Sequence, residues 1–299
     1  MISDSGVEAE ILIDKVVARW CFGSQPHGNS EYEALHSFKY SSANGEFPKK
    51  GSYWAGGKSP FTHLSQPLSG AGELHIKFGY VHGRHWAWYG FNPSKLVAEE
   101  WEELSVYFNL LFSHGFSDVW ANARLAKYDI AIDLHGAKFT DYAFIDRRLR
   151  AGDGTLQEIG SSYLGSEHGA RSLICYDKSK EIKDKGAADP YGDRLRLEAR
   201  ISNPGKFALS DIGSIQNPFS NLAVIDRSSL AKNGGKLITD FSEEIGAGYP
   251  ADFAFFNRPK EERESLWADL QALQPPWWSP QEIWSGYGNL LGWPDNLTS

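Results

Sequence analysis

Lys127-Tyr128-Asp129-Ile130-Ala131-Ile132-Asp133-Leu134-His135 alternates strictly between apolar and polar character. Successive side chains of an extended chain point to opposite faces, so Ile130, Ile132 and Leu134 fall on one side and Asp129, Ala131, Asp133 and His135 on the other. This predicts a strand with one apolar and one acidic face. The same period returns at Arg194-Leu195-Arg196-Leu197-Glu198-Ala199-Arg200-Ile201, which puts Leu195, Leu197, Ala199 and Ile201 inward and Arg194, Arg196, Glu198 and Arg200 outward. Between them, Gln157 to Leu164 and Arg171 to Asp177 read as a hairpin. Strands that share a sheet share its faces, and the polar face predicted here collects acids, arginines and one tyrosine, Tyr176.

Outward from this centre, Glu8 to Arg19 alternates as a first strand, and Pro26 to Gly70 is rich in Gly, Ser, Pro and aromatic residues, a texture of loops and short strands. Glu73 to Tyr80 and Arg84 to Phe91 form a hairpin around Val81-His82-Gly83. Asn92-Pro93-Ser94 opens a helix in which Leu96, Val97, Trp101, Leu104, Phe108, Leu111 and Phe112 recur near helical spacing up to Gly115. Thr140 is a candidate cap for a helix from Tyr142 to Leu149, ended by Gly152-Asp153-Gly154. Lys260 to Leu273 is patterned as an amphipathic helix, and the segment after it carries Trp277, Trp278, Trp284 and Trp293. The expected fold class is α+β: a central, mainly antiparallel sheet of about five strands with helices packed on one face. The change of texture after Pro204 places a boundary between a domain of residues 1–205 holding the candidate site and an acidic, Trp-rich extension of residues 206–299.

A chain of 299 residues with 41% apolar content buries a substantial core. No apolar run approaches the roughly 18 residues that a membrane helix needs, and Asp4, Glu8, Glu10 and Asp14 break up any leader-like start, so a cytoplasmic protein without a membrane partner is expected. Cys21 and Cys175 lie far apart, form no CxxC, and are expected to be reduced and buried. His82 and His85 sit on a turn rather than a helix, which argues against a zinc pair. The net charge of −8 opposes binding to polyanions until its distribution is considered. From Phe241 onward nine acids oppose three bases, a local −6, which leaves −2 on the first 240 residues. Within those, Arg147, Arg148 and Arg150 cluster, and Lys178, Lys180, Lys183, Lys185, Arg194, Arg196 and Arg200 follow Tyr176.

Carboxylates converging from neighbouring strands, Asp129 and Asp133 on one and Glu198 on the other, suit a hard divalent cation such as Mg²⁺ or Mn²⁺, which takes oxygen ligands and can share a phosphate. If Tyr176 lies on the same face, its phenol can attack that phosphate in line while the cation and Arg194, Arg196 and Arg200 stabilise the developing charge. A free tyrosine has a pKa of about 10, so roughly one part in a thousand is ionised at pH 7. Activation by the metal, by Lys178 or by a base such as His135 is therefore required.

These segments resemble, in order and spacing, the rolling-circle replication initiators of plasmids and filamentous phages, and the conjugative relaxases related to them. The match comprises Lys127 to Asp133, Tyr163-Leu164-Gly165-Ser166, Ile174-Cys175-Tyr176-Asp177-Lys178 and Arg194 to Glu198, within the span from Lys127 to Arg200. The resemblance implies that Tyr176 is the nucleophile, that acids of the first strand and of the Arg-x-Glu strand bind the metal, and that the protein nicks origin DNA through a 5′-phosphotyrosyl intermediate with a free 3′-OH. It also implies a single-stranded or supercoiled origin as substrate, host helicase and polymerase as partners, and allows a homodimer. The family has a basic residue soon after Leu-Gly-Ser; this chain has Glu167-His168, so Arg171 is the candidate for that DNA contact. A His-hydrophobic-His triplet is absent, so carboxylates must carry the metal.

The alternatives are a conjugative relaxase with the same chemistry, a DNA-binding protein without catalysis, and a carbohydrate-active protein using paired carboxylates and its eleven tryptophans. Intact Tyr176, Asp129, Asp133 and Glu198 speak against the second, and scattered tryptophans against the third.

Overall fold

The computed structural model describes residues 6–23, 33–35, 37, 52–55, 61–112, 115–148, 156–158, 160–166, 169–190, 192–202, 207–232 and 235–291. The chain divides into two compact units, and the divisions run through strands: one unit holds Met1–Leu12, Ile130–Ile201 and Gln216–Tyr287, the other Ile13–Asp129, Ser202–Ile215 and Gly288–Ser299.

In the unit that begins at Ile13, strands β1 (Glu8–Gly23), β2 (Ser52–Ala55), β3 (Phe61–Pro67), β4 (Glu73–Val81) and β5 (Arg84–Phe91) run in the order β2-β3-β4-β5-β1, each pair antiparallel. The β4–β5 turn is the predicted one. Val81 pairs with Arg84, and the two residues between them, His82 and Gly83, have φ of 52° and 75°. Positive φ at both central positions is the geometry whose twist matches paired strands, and glycine takes it without strain. One side of this sheet is apolar. Leu74, Ile76 and Phe78 of β4 and Ala87, Tyr89 and Phe91 of β5 are buried there against the predicted helix, which runs Ala98–Leu111. Tyr89 meets Phe108 edge-on at 4.7 Å and Phe91 meets Trp101 at 5.6 Å. A second helix, Gly115–Asn122, follows without being foreseen; Phe116 and Trp120 extend the aromatic row. Cys21 is exposed, contrary to expectation, because it faces away from this core.

In the other unit, β6 (Arg124–His135), β11 (Arg194–Ser202), β10 (Arg171–Asp177), β9 (Ser161–Leu164) and β8 (Leu156–Glu158) follow one another in that order. The main sheet thus draws on ten strands where the sequence predicts about five. The additional strands are mostly short, β2 and β8 having four and three residues, too few for a period to declare itself. The predicted helix from Tyr142 to Leu149 is instead a strand, β7 (Tyr142–Asp146), paired antiparallel with β12 (Leu222–Asp226) in a small second sheet. Tyr142, Phe144 and Ile145 favour a pleated surface, and the distant partner supplies the missing hydrogen bonds. Helices Lys236–Gly246, Ala251–Phe256 and Lys260–Ala272 close over this pair, and Phe241, Phe255, Leu266 and Leu270 join Ile145 and Ile225 in one buried cluster. Residues 216–287 therefore share a compact unit with residues 130–201. Among the described residues no helix is long and apolar enough to cross a membrane.

Candidate active site

Tyr176 is the sixth residue of β10, flanked by partners on both sides. In register it opposes Arg196 of β11 and Ser161 of β9, while two residues back Ile174 opposes Glu198 and Tyr163. Side chains of like parity share a face, so Ser161, Tyr163, Ile174, Tyr176, Arg196 and Glu198 stand together. The Tyr176 hydroxyl donates to Glu198 Oε2 at 3.3 Å, and Arg200 Nε donates to Glu198 Oε1 at 2.6 Å. Glu198 itself is almost fully buried, at 3% exposure, whereas the Arg200 side chain is 37% exposed. A cavity of about 350 Å³ opens beside the tyrosine, lined by Ser161, Tyr163, Ile174, Lys180 and Arg200 among others.

Immediately after Tyr176 the chain turns from strand to helix. Asp177 caps the Lys178–Asp184 helix, its carboxylate accepting from Lys180 N at 2.8 Å. This explains the Tyr-Asp-Lys order locally: the residue after the tyrosine must be a good N-cap. Lys178 Nζ lies 5.8 Å from the Tyr176 ring centre but bonds Glu181 at 2.6 Å. Burial pushes the Glu181 carboxyl upward, yet Lys178 and Lys185 outweigh it and hold the pKa at about 2. Lys178 is thus engaged by Glu181 rather than by the tyrosine hydroxyl.

A second group extends from Arg196. Its Nε and Nη2 donate to the two Asp133 oxygens at 2.5 and 2.6 Å, and Arg194 Nη1 approaches the same carboxylate at 3.4 Å. Arg194 also donates to Asp189 at 2.9 and 3.3 Å, and Asp189 receives the Ser179 hydroxyl at 3.0 Å. The outward face of β11 is therefore not solvated: Arg196 and Glu198 are buried, and so are Asp129 and Asp133. Asp189 and Ser179 were not singled out by sequence. Asp189-Pro190 falls in a polar, Lys-rich loop of the sequence, and nothing local says that its carboxylate reaches back to Arg194.

The remaining candidates have partners of their own. Asp129 belongs to the other compact unit, where it pairs with Lys127 at 3.1 Å. His135 Nε2 lies 3.2 Å from Glu10 Oε2. Arg171 donates to the buried Asp146 at 2.5 Å and to the Pro218 carbonyl at 2.5 Å, which makes it a bolt between β10 and β7 rather than a phosphate contact. Glu167 and His168 lie outside the described residues, as does Trp293.

A divalent cation needs carboxylate lone pairs facing one point with no guanidinium in the same shell. Both Asp133 oxygens are occupied by Arg196 and Glu198 Oε1 by Arg200. Among the described residues no three His, Cys, Asp or Glu side chains are grouped to hold a metal ion. Asp133 and Glu198 as arranged do not fit the expected cation, because Arg196 and Arg200 of the same face neutralise them first.

No family model matches the chain, and no curated protein matches it. Among solved structures, the rolling circle replication initiator protein from Geobacillus stearothermophilus is similar at a TM-score of 0.34 and 10% identity, covering 65% of this chain and 75% of that one. A likeness at that level carries no argument on its own.

Proposed function

We propose that the chain is a site-specific DNA nickase and strand transferase that initiates rolling-circle replication, with Tyr176 as its nucleophile. The observation that carries this reading is the Tyr176 hydroxyl held 3.3 Å from the buried Glu198, whose other oxygen is bound by the half-exposed Arg200, at the side of an open cavity. The order of motifs from Lys127 to Glu198 supports it independently of geometry.

In this mechanism Glu198 orients the phenol and accepts its proton as the tyrosyl oxygen attacks phosphorus. The O–P bond to Tyr176 forms and the bond from phosphorus to the 3′-oxygen breaks. That oxygen takes a proton from solvent and becomes a free 3′-OH, and the 5′-phosphate stays on the enzyme. Arg200, exposed beside Glu198, meets the non-bridging oxygens, where a planar guanidinium matches the spreading charge. Attack of a 3′-OH on the phosphotyrosine reverses the same steps and rejoins or transfers the strand. The Asp133–Arg196 pair fixes the strand that presents Glu198.

The test is direct. Full-length protein is incubated with Mg²⁺ or Mn²⁺ and a 3′-labelled single-stranded oligonucleotide from its own replicon's origin, and a covalent protein–DNA adduct is sought on a denaturing gel. Wild type is expected to yield the adduct, Tyr176→Phe none, and Glu198→Gln less by about 100-fold. An adduct from Tyr176→Phe equal to that from wild type sinks the assignment.

A further inference from the structure

The outward side of β3, β4, β5 and β1 carries residues that the Tyr176 chemistry does not use. Along β5, buried His85, Ala87 and Tyr89 alternate with half-buried Trp86 and Trp88, so both indoles lie on the face away from the core. Register places Arg19 of β1 and Lys77 of β4 on either side of Trp88. The contacts follow from that placement. Lys77 Nζ lies 4.3 Å from the Phe61 ring centre and 5.3 Å from that of Trp88, and the Arg19 guanidinium lies 5.9 Å from Trp86. Phe61 meets Trp88 edge-on at 5.0 Å, and Trp86 lies 5.9 Å from Trp88. Gly79 stands in register between Phe61 and Trp86, so the row has no side chain at its middle.

Charge separates this face from an ordinary apolar patch. Arg84 is exposed on the same side of β5, and among the described residues neither Arg19 nor Lys77 has a carboxylate partner. Arg19 Nε is buried with no hydrogen-bond acceptor. The acid at the start of β4, Glu73, is 3.3 Å from His75. Cations held against aromatic rings without acids are a poor seat for a neutral or acidic-patch-free apolar partner. They suit a chain that supplies flat π-faces and negative charge at short intervals, which is the chemistry of unpaired nucleotides.

We propose that this face binds single-stranded DNA, with bases stacking on Phe61, Trp88 and Trp86 and phosphates meeting Lys77, Arg19 and Arg84. A duplex offers no free base faces and is the poorer ligand. The proposal does not depend on nicking by Tyr176, and it gives a chain of net charge −8 a local cationic surface for a polyanion.

Fluorescence anisotropy of the full-length chain with a labelled thymidine oligomer of about 20 nucleotides, over a series of salt concentrations, tests it. Trp86→Ala combined with Trp88→Ala is expected to weaken binding by about 10- to 100-fold, and the corresponding double Phe variant to restore it to within about threefold, since a smaller ring still stacks. Lys77→Gln is expected to flatten the logarithmic salt slope by about 0.7. The readout is equilibrium binding of an oligomer without an origin, with no adduct required, so failure here is distinct from failure of the nickase reading. Circular dichroism and melting establish that each variant is folded. The proposal is overturned if wild type does not bind the oligomer at low salt, if the folded double Ala variant binds as tightly as wild type, or if that variant alters sedimentation of the protein but not DNA binding.

Discussion

Asp133 and Arg196 bind each other through two hydrogen bonds with side chains only 2% and 8% exposed. Removing one partner leaves the other charge buried, so Asp133→Asn is expected to cost about 3–5 kcal/mol in urea unfolding. Replacing both by apolar residues of similar volume is expected to cost much less, because no stranded charge remains. A single Asp133→Asn as stable as wild type contradicts the reading of this pair as a closed ionic unit. The alternation that brings Asp133, Arg196 and Glu198 to one face is plain in the sequence, since a period of two needs only neighbours. Which acid meets which arginine was not legible: that depends on strand register, set by side chains more than sixty positions away. The same holds for Arg171, which by spacing stood near the tyrosine but by packing serves Asp146.

Among the elements, the Ala251–Phe256 helix carries a titratable liability. Asp252 is buried at 5% exposure with no hydrogen-bond partner for Oδ1, and burial raises its pKa from 3.8 to about 6 against the opposing backbone N–H groups of Phe253 and Asp252. A carboxyl whose pKa is higher folded than unfolded binds its proton more tightly when folded. Its stabilising contribution is therefore fully present below about 4 and is lost as pH rises through about 6. Asp252→Asn is expected to raise stability by on the order of 1 kcal/mol at pH 7.5 and to change little at pH 4, measured as melting temperature against pH. An unchanged pH profile in the variant counts against this account. Elements of strong period were legible: the Ala98–Leu111 and Lys260–Ala272 helices and strands β4, β5, β6, β10 and β11. The segment from Tyr142 was not, because five residues fit either period and a turn-capping threonine precedes them; β12, about eighty residues later, decides it.

At the scale of the molecule, the two cysteines report on the packing. Cys21 is exposed, while burial raises the Cys175 thiol well above its ordinary value. An aromatic disulfide reagent at pH 8 is expected to titrate one thiol in the native protein and two in denaturant; two rapid native thiols contradict the burial of β10. The unit that holds Tyr176 is assembled from three separate stretches, Met1–Leu12, Ile130–Ile201 and Gln216–Tyr287. A fragment of residues 1–205 keeps Tyr176, Arg196 and Glu198 but leaves β7 without β12 and exposes Ala143 and Ile145, normally covered by Phe241 and Leu266. It is expected to be insoluble or molten, lacking near-ultraviolet dichroism, whereas a well-folded, soluble fragment refutes this. The β7–β12 pairing also sets a schedule for the chain as it is made. Synthesis proceeds at roughly 5–20 residues per second, so the tyrosine strand leaves the ribosome seconds before the strand and helices that complete its unit. During that interval the nascent chain presents an open β-edge and an uncovered apolar floor, and a chaperone that shields such surfaces has a defined window in which to act.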